Sequence, residues 1–255
     1  MTSPKGYTQS GPLFRAKTRA LEKLLAKVLA PLNLVPALVY PTAPNRLSPR
    51  DIPGFEVKPA AEGDVDDAEV DSWGWYRKDE ATGSYRFVHE GMMRLAETVA
   101  EAGKATVEEG EVSSRRNAID GVVGFSQGGT MAAMLTAALE GDEGMRQVDE
   151  AHRGWVKALR EANEGQPLKF AVIYSGFWAV PKDLAWLYEP KLKTPTLHFL
   201  GSLDTVVDEN RSQGLVERCE DPVVVVHPGG HYVPVSKEWV MPLAGFIKKC
   251  LETTA

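Results

Sequence analysis

The sequence predicts an α/β protein in which a mostly parallel sheet is covered by helices on both faces. Short, nearly continuous apolar runs recur at residues 37–40, 119–123, 170–174, 196–200 and 223–226, and a strand that is apolar on both faces belongs inside a covered sheet. Segments of helical period alternate with these runs, as a parallel sheet requires of its connections. No internal repeat is present, and no linker separates two cores. Residues 1–255 therefore read as one domain with two insertions, an irregular one at about 42–84 and a polar helical one at about 141–166.

Taken in order, Phe14, Leu21, Leu24, Leu25 and Val28 recur at three- and four-residue spacing, which predicts a helix over 13–30 stopped by Pro31. Residues 37–40, closed by Pro41, read as a buried strand. The stretch 42–84 shows no periodicity. It carries Pro44, Pro53 and Pro59, then an acidic tract over 62–71 that reads as solvated surface, then Trp73, Trp75 and Tyr76. A helix over 88–107 sets Met92, Leu95, Ala96 and Val99 on one face. A strand over 119–123 and an alanine-rich helix over 130–139 follow. Residues 141–166 are polar apart from an amphipathic patch at Trp155 and Leu159, and the last helix spans 238–251.

Charge and composition narrow the partners. Twenty-nine basic and 35 acidic residues leave a net charge of −6, which offers little to a nucleic acid or an anionic membrane surface. No 18-residue apolar run exists, because Lys23, Lys27, Pro31 and Pro36 break the richest stretch. The first residues lack a secretory apolar region. Segment 14–30 is basic and amphipathic like a transit peptide, but it already has a place in the fold. Cys219 and Cys250 show no CxxC spacing and cannot form a metal cluster. They read as reduced thiols of a cytoplasmic protein.

The chemistry gathers at three strand ends. Gly124-Phe125-Ser126-Gln127-Gly128-Gly129 fits G-x-S-x-G, with a strand feeding the motif and a helix leaving it, as a nucleophile elbow requires. Such a turn strains the serine backbone and exposes its hydroxyl, and Gly124 and Gly128 avoid a steric collision across it. The helix behind Ser126 points N–H groups and a positive dipole end at developing negative charge. A serine hydroxyl needs a base, and the base an orienting acid. Of the five histidines, His89 opens a helix, His152 lies in the polar insertion and His198 reads as a core histidine within a strand. His227 and His231 follow the last strand in His227-Pro228-Gly229-Gly230-His231. The glycines let the loop turn tightly, making His231 the candidate base and His227 a packed or capping residue. Leu200-Gly201-Ser202-Leu203-Asp204 supplies the acid, Asp204, while Asp208-Glu209 reads as a helix N-terminus. The order Ser126, Asp204, His231 is that of α/β-hydrolases.

Beyond these residues, the sequence resembles the fungal FSH family of serine hydrolases. The resemblance rests on Gly6-Tyr7-Thr8-Gln9-Ser10-Gly11, Pro41-Thr42-Ala43-Pro44, Trp73-Gly74-Trp75 and the run GVVGFSQGG over 121–129. Ser175-Gly176-Phe177, Gly201-Ser202-Leu203-Asp204 with Val207, and the His227 to His231 block with Pro234 extend it over nearly the whole chain. It implies an α/β-hydrolase fold, a triad of Ser126, Asp204 and His231, ester or thioester hydrolysis, and no cofactor. Some relatives look like thioesterases that release polyketides from fungal synthases. Others carry a dihydrofolate-reductase label, for which no nicotinamide fingerprint is visible here.

One departure stands out. The family begins with an apolar strand leading into His-Gly-Tyr or His-Gly-Phe, whereas here only residues 1–4 precede Lys5, which occupies the histidine position. That strand lies centrally in the family, beside the elbow strand. The loop after it gives an oxyanion donor, here the Tyr7 N–H, to complement the Gln127 N–H. Losing a central strand costs an amount comparable to total stability, so the expectation is a true start upstream of this one. The expected substrate is a small acyl ester or thioester, its acyl group held by Trp73, Trp75, Tyr76, Phe177 and Trp178. Two alternatives accompany it: a carrier-protein thioesterase with an acyl-carrier partner, and a hydrolase-fold binding protein with impaired catalysis.

Overall fold

The architecture was determined as a computed structural model that describes residues 9–48, 71–108, 117–141 and 148–253. Helix α1 (Gly11–Leu29) begins where Pro12 fits the first turn and Thr42 Oγ1 accepts the Gly11 N–H at 2.8 Å. Its buried stripe is Phe14, Thr18, Leu21, Leu25 and Leu29. Pro31 falls within a closing 3-10 turn, Ala30–Leu32, rather than at a sharp stop. Residues 37–40 are not the expected buried strand: Val39 alone sits in a ladder bridge, and Ala37 is exposed. So short a run is marginal as a strand, and its Leu38 and Tyr40 side chains pack towards α1 instead.

The stretch 42–84 is not irregular throughout. Strand β1 (Asn45–Arg46) pairs antiparallel with β2 (Trp73–Gly74), and β3 (Arg77–Lys78) with β4 (Tyr85–Arg86). The acidic tract over 62–70, like Lys5 and Tyr7, lies outside the described residues. Then come α2 (Val88–Glu108), β5 (Gly121–Phe125), α3 (Gln127–Leu139), α4 (Glu150–Ala162), β6 (Phe170–Tyr174), β7 (Thr196–Gly201), α5 (Glu209–Val216), β8 (Val223–His227) and α6 (Lys237–Thr253). Strand β5 sits two residues nearer Ser126 than its apolar pattern predicts, because the Ile119 N–H is taken by Asn163 Oδ1 at 3.0 Å instead of by a ladder. Helix α4, within the polar stretch 141–166, belongs to the core. It buries His152, Trp155, Val156 and Leu159 and packs on α2 and α3, so its polarity is confined to the outer face.

Strands β5, β6, β7 and β8 form one parallel sheet in that order. Side chains alternate across it. Val122, Ala171 and Ile173 face the layer of α2, α3 and α4. Phe125, Phe170, Val172, Tyr174, Leu197 and Phe199 face α1 and α6. Helical cover runs out at β8, where Val223, Val224 and Val226 are 43%, 40% and 57% exposed. At β5, Val123 faces α1, α6, Leu38 and Tyr40 across a narrow apolar cavity of about 20 Å³. Among the described residues, no helix is long and apolar enough to cross a membrane. Cys219 and Cys250 are both buried, and neither is in a disulfide.

His198 on β7 is in the core, its Nε2 3.5 Å from Cys219 Sγ. Burial lowers the histidine pKa to about 4 and raises the thiol to about 11, so both groups are neutral at pH 7. The unfolded chain takes up this proton below pH 6.5, and the folded chain only near 4. Stability present above pH 6.5 is therefore lost as pH falls between those values, by about 3 kcal/mol. Urea unfolding at pH 7 and pH 4.5 reads this loss, and His198→Leu is expected to flatten it. An unchanged slope in that variant would refute the assignment.

Candidate active site

Strand β5 delivers Ser126 at φ 55°, ψ −123°, a conformation that costs a non-glycine residue about 1–3 kcal/mol. The surroundings hold it there. The Ser126 N–H donates to Tyr174 C=O at 2.9 Å, and its own C=O accepts from Gly129 at 2.8 Å and Thr130 at 3.2 Å. Gly124 has no room for a side chain: a Cβ there would lie 2.2 Å from the Gly128 carbonyl oxygen.

The turns after β7 and β8 are stitched together. Ser202 N–H donates to His227 C=O at 2.9 Å and Leu203 N–H to Gly229 C=O at 3.0 Å. The approach is close enough that a Cβ on Gly201 would fall 2.6 Å from the oxygens of both Gly229 and Gly230. This seam sets Asp204 beside His231. His231 Nδ1 lies 2.8 Å from Asp204 Oδ2, and His231 Nε2 lies 2.9 Å from Ser126 Oγ. The imidazole rests on the Phe125 ring, with centroids 4.7 Å apart.

Asp204 is held from its other side as well. Its Oδ1 accepts the N–H groups of Val206 and Val207, both at 2.9 Å. Burial pushes the carboxyl pKa up, but the His231 hydrogen bond and the N–H groups of Val207 and Val206 outweigh it, leaving the group below its ordinary value. Asp204 is therefore ionised at neutral pH, and its second oxygen is committed to the imidazole.

The remaining acids and histidines have other places. Asp208 caps α5 by accepting the Asn210 N–H at 2.9 Å. His227 is packed between Tyr232 and Trp239, with centroids at 5.2 and 5.8 Å. His152 meets Asp183 at 2.9 Å and lies 3.2 Å from Trp155 Nε1, which donates to its Nδ1. His89 is exposed in the first turn of α2.

Gln127 opens α3, where a backbone N–H has no acceptor within the helix. Its side chain is buried and doubly bonded: Oε1 accepts the Trp75 N–H at 2.8 Å, and Nε2 donates to the Tyr76 C=O at 2.9 Å. Tyr7, the other expected oxyanion donor, falls among the residues that are not described.

The five aromatics expected in the acyl pocket separate. Trp75 and Tyr76 are core residues, 0% and 3% exposed, with Tyr76 stacked on Tyr85. Their surface is spent on packing, which corrects the expectation for these two. Trp73, Phe177 and Trp178 stay half-buried. Trp73 Nε1 donates to Asp71 at 2.7 Å, while Arg211 and Arg218 lie over the rings of Phe177 and Trp178 at 4.0 and 3.7 Å. Leu203, Val206 and Tyr232, not singled out from the sequence, are 68%, 64% and 51% exposed on the turns bearing Asp204 and His231. Among the described residues, no three His, Cys, Asp or Glu side chains are grouped to hold a metal ion.

A parallel sheet between helical layers, with a strained serine where strand turns into helix, defines an α/β hydrolase. The chain belongs to the family described as Serine hydrolase (FSH1), whose model matches residues 5–243, and it is a hydrolase enzyme. It is 30% identical over 249 residues to Family of serine hydrolases 2 of Saccharomyces cerevisiae, covering 96% of this chain and 95% of that one. Esterase OVCA2 of Danio rerio is 28% identical over 251 residues, with 96% and 94% covered. A Schizosaccharomyces pombe protein named dihydrofolate reductase is 30% identical over 233 residues; 90% of this chain is covered, yet it spans only 42% of that relative's length. Among solved structures, a variant of Arabidopsis thaliana SOBER1 aligns with a TM-score of 0.56 at 17% identity, covering 98% of both chains. Esterase PE8 aligns with a TM-score of 0.53 at 18% identity, covering 98% of this chain and 91% of its own. At these identities the structures speak for the fold.

Proposed function

We propose that this serine hydrolase cleaves carboxylic esters or thioesters of small molecules through an acyl-enzyme on Ser126. The observation that carries the reading is the hydrogen-bonded chain from Asp204 through His231 to Ser126, with links of 2.8 and 2.9 Å, on a strained elbow. His231 Nε2 takes the Ser126 proton as Oγ attacks the acyl carbonyl. Asp204 keeps the proton on Nδ1 and stabilises the imidazolium that forms. The carbonyl oxygen, now negative, is received by the Gln127 N–H at the positive end of α3, with Tyr7 as the second donor on the family resemblance. His231 then protonates the departing alkoxide or thiolate. Water, activated by the same imidazole, releases the acid and restores Ser126.

Exposed Leu203, Val206 and Tyr232, neighbours of Asp204 and His231 in the chain, are candidates for apolar contact with an alkyl chain, with Trp73, Phe177 and Trp178 as further candidates. The esterase name carried by the Danio rerio relative agrees with this chemistry. Two buried cysteines outside any disulfide fit a reducing, cytoplasmic setting. The test is a stopped-flow series of p-nitrophenyl esters from acetate to laurate. A burst of one p-nitrophenolate per chain, followed by slower turnover, is expected. Absence of both burst and turnover across the series would overturn the proposal.

A further inference from the structure

We infer that the Gln127 side chain is a positioning residue for the reaction. By gripping the backbone of Trp75 and Tyr76, it holds the Gln127 N–H aimed at the oxyanion. The inference rests on the proposed serine chemistry and adds a function for a side chain that the mechanism leaves idle.

The backbone at this point has reason to drift. Ser126 is at φ 55°, and its backbone would relax if it were not restrained. The peptide linking Ser126 to Gln127 is fixed on its carbonyl side, where Gly129 and Thr130 donate to the Ser126 oxygen at 2.8 and 3.2 Å. The N–H on its opposite side is the one that must meet the substrate. The second fixed point is the side chain, whose amide oxygen and nitrogen bond two successive peptides at 2.8 and 2.9 Å.

The anchor on the far side is itself rigid. Asn45 Nδ2 donates to the Gly74 and Trp75 carbonyls at 3.1 and 3.2 Å. A Cβ on Gly91 of α2 would fall 2.4 Å from the Trp75 oxygen, so the segment lies flat against α2. Trp75 is fully buried. The amide thus ties the first residue of α3 to a strap braced by β1 and α2. A donor and an acceptor are both required, because one strap partner is an N–H and the other a C=O. Only a primary amide of this length supplies both in fixed positions.

The test compares wild type with Gln127→Met, which loses both bonds at similar volume, and Gln127→Glu, which keeps an acceptor for the Trp75 N–H but loses the donor to Tyr76. Each variant is first shown to be folded at 25 °C by circular dichroism and a thermal melt. A misaimed oxyanion donor weakens the transition state and leaves the ground state alone. Both variants are expected to lower kcat about 10- to 100-fold, within the loss of about 10²–10³ for a whole donor, with KM unchanged within twofold. Affinity for an alkyl trifluoromethyl ketone, which forms a tetrahedral oxyanion on Ser126, is expected to fall by the same factor as kcat. A folded variant with wild-type kcat and wild-type ketone affinity would overturn the inference, even if its melting temperature fell. Wild-type protein that neither turns over ester nor binds the ketone would instead count against the proposed function.

Discussion

Replacing Ser126 by Ala is expected to lower ester turnover by about 10⁴–10⁶-fold while leaving the fold in place. The geometry separates the two effects. What holds residue 126 in its strained turn is backbone: its N–H to Tyr174, and its C=O from Gly129 and Thr130. Alanine keeps all three bonds. The substitution removes only the hydroxyl that His231 Nε2 reaches at 2.9 Å. Residual hydrolysis would come from the oxyanion donor and substrate binding, so the rate should not fall to that of water. Measuring kcat/KM beside the melting temperature distinguishes this result from simple unfolding. A variant that kept even a tenth of wild-type turnover would place the nucleophile elsewhere.

Asp204→Asn is expected to cost about 10⁴-fold, for a reason specific to this site. Oδ1 is pinned by two N–H donors, Val206 and Val207, each at 2.9 Å. An asparagine must therefore turn its carbonyl oxygen to those donors and its NH₂ to His231. That forces Nδ1 to accept and puts the ring proton on Nε2, facing Ser126. The imidazole then donates to the hydroxyl from which it should take a proton. Because shape and hydrogen-bond count are preserved, stability is expected to change little and the fluorophosphonate labelling rate to fall with turnover. An Asp204→Asn variant within tenfold of wild type would mean that Asp204 does not set the tautomer.

Much of this site could be read from the sequence because its logic is local. The Gly124 to Gly129 motif contains its own steric reason, as the 2.2 Å clash at Gly124 makes plain. The turns bearing Asp204 and His231 each follow an apolar strand, and a parallel sheet brings such ends to one edge. Non-local information was harder to recover. Trp75 and Tyr76 look like pocket residues in sequence because they are aromatic and lie in an insertion. They are buried because the Gln127 side chain, 51 and 52 positions away, fixes that strap onto α3 and α2. The role of α4 was hidden similarly. Its four buried residues are diluted among charges, and only their packing on α2 and α3 reveals a core helix. Residues 37–40 show the reverse error, since apolar content alone does not make a strand and only Val39 holds a ladder bridge there.

Intact-mass analysis after exposure to a fluorophosphonate reports on whether Ser126 is an activated nucleophile paired with His231. One phosphonyl adduct per chain is expected, mapped to Ser126, formed by wild type, not by Ser126→Ala, and far more slowly by His231→Ala. Folded wild-type protein that gains no adduct, or gains it on another residue, would contradict it.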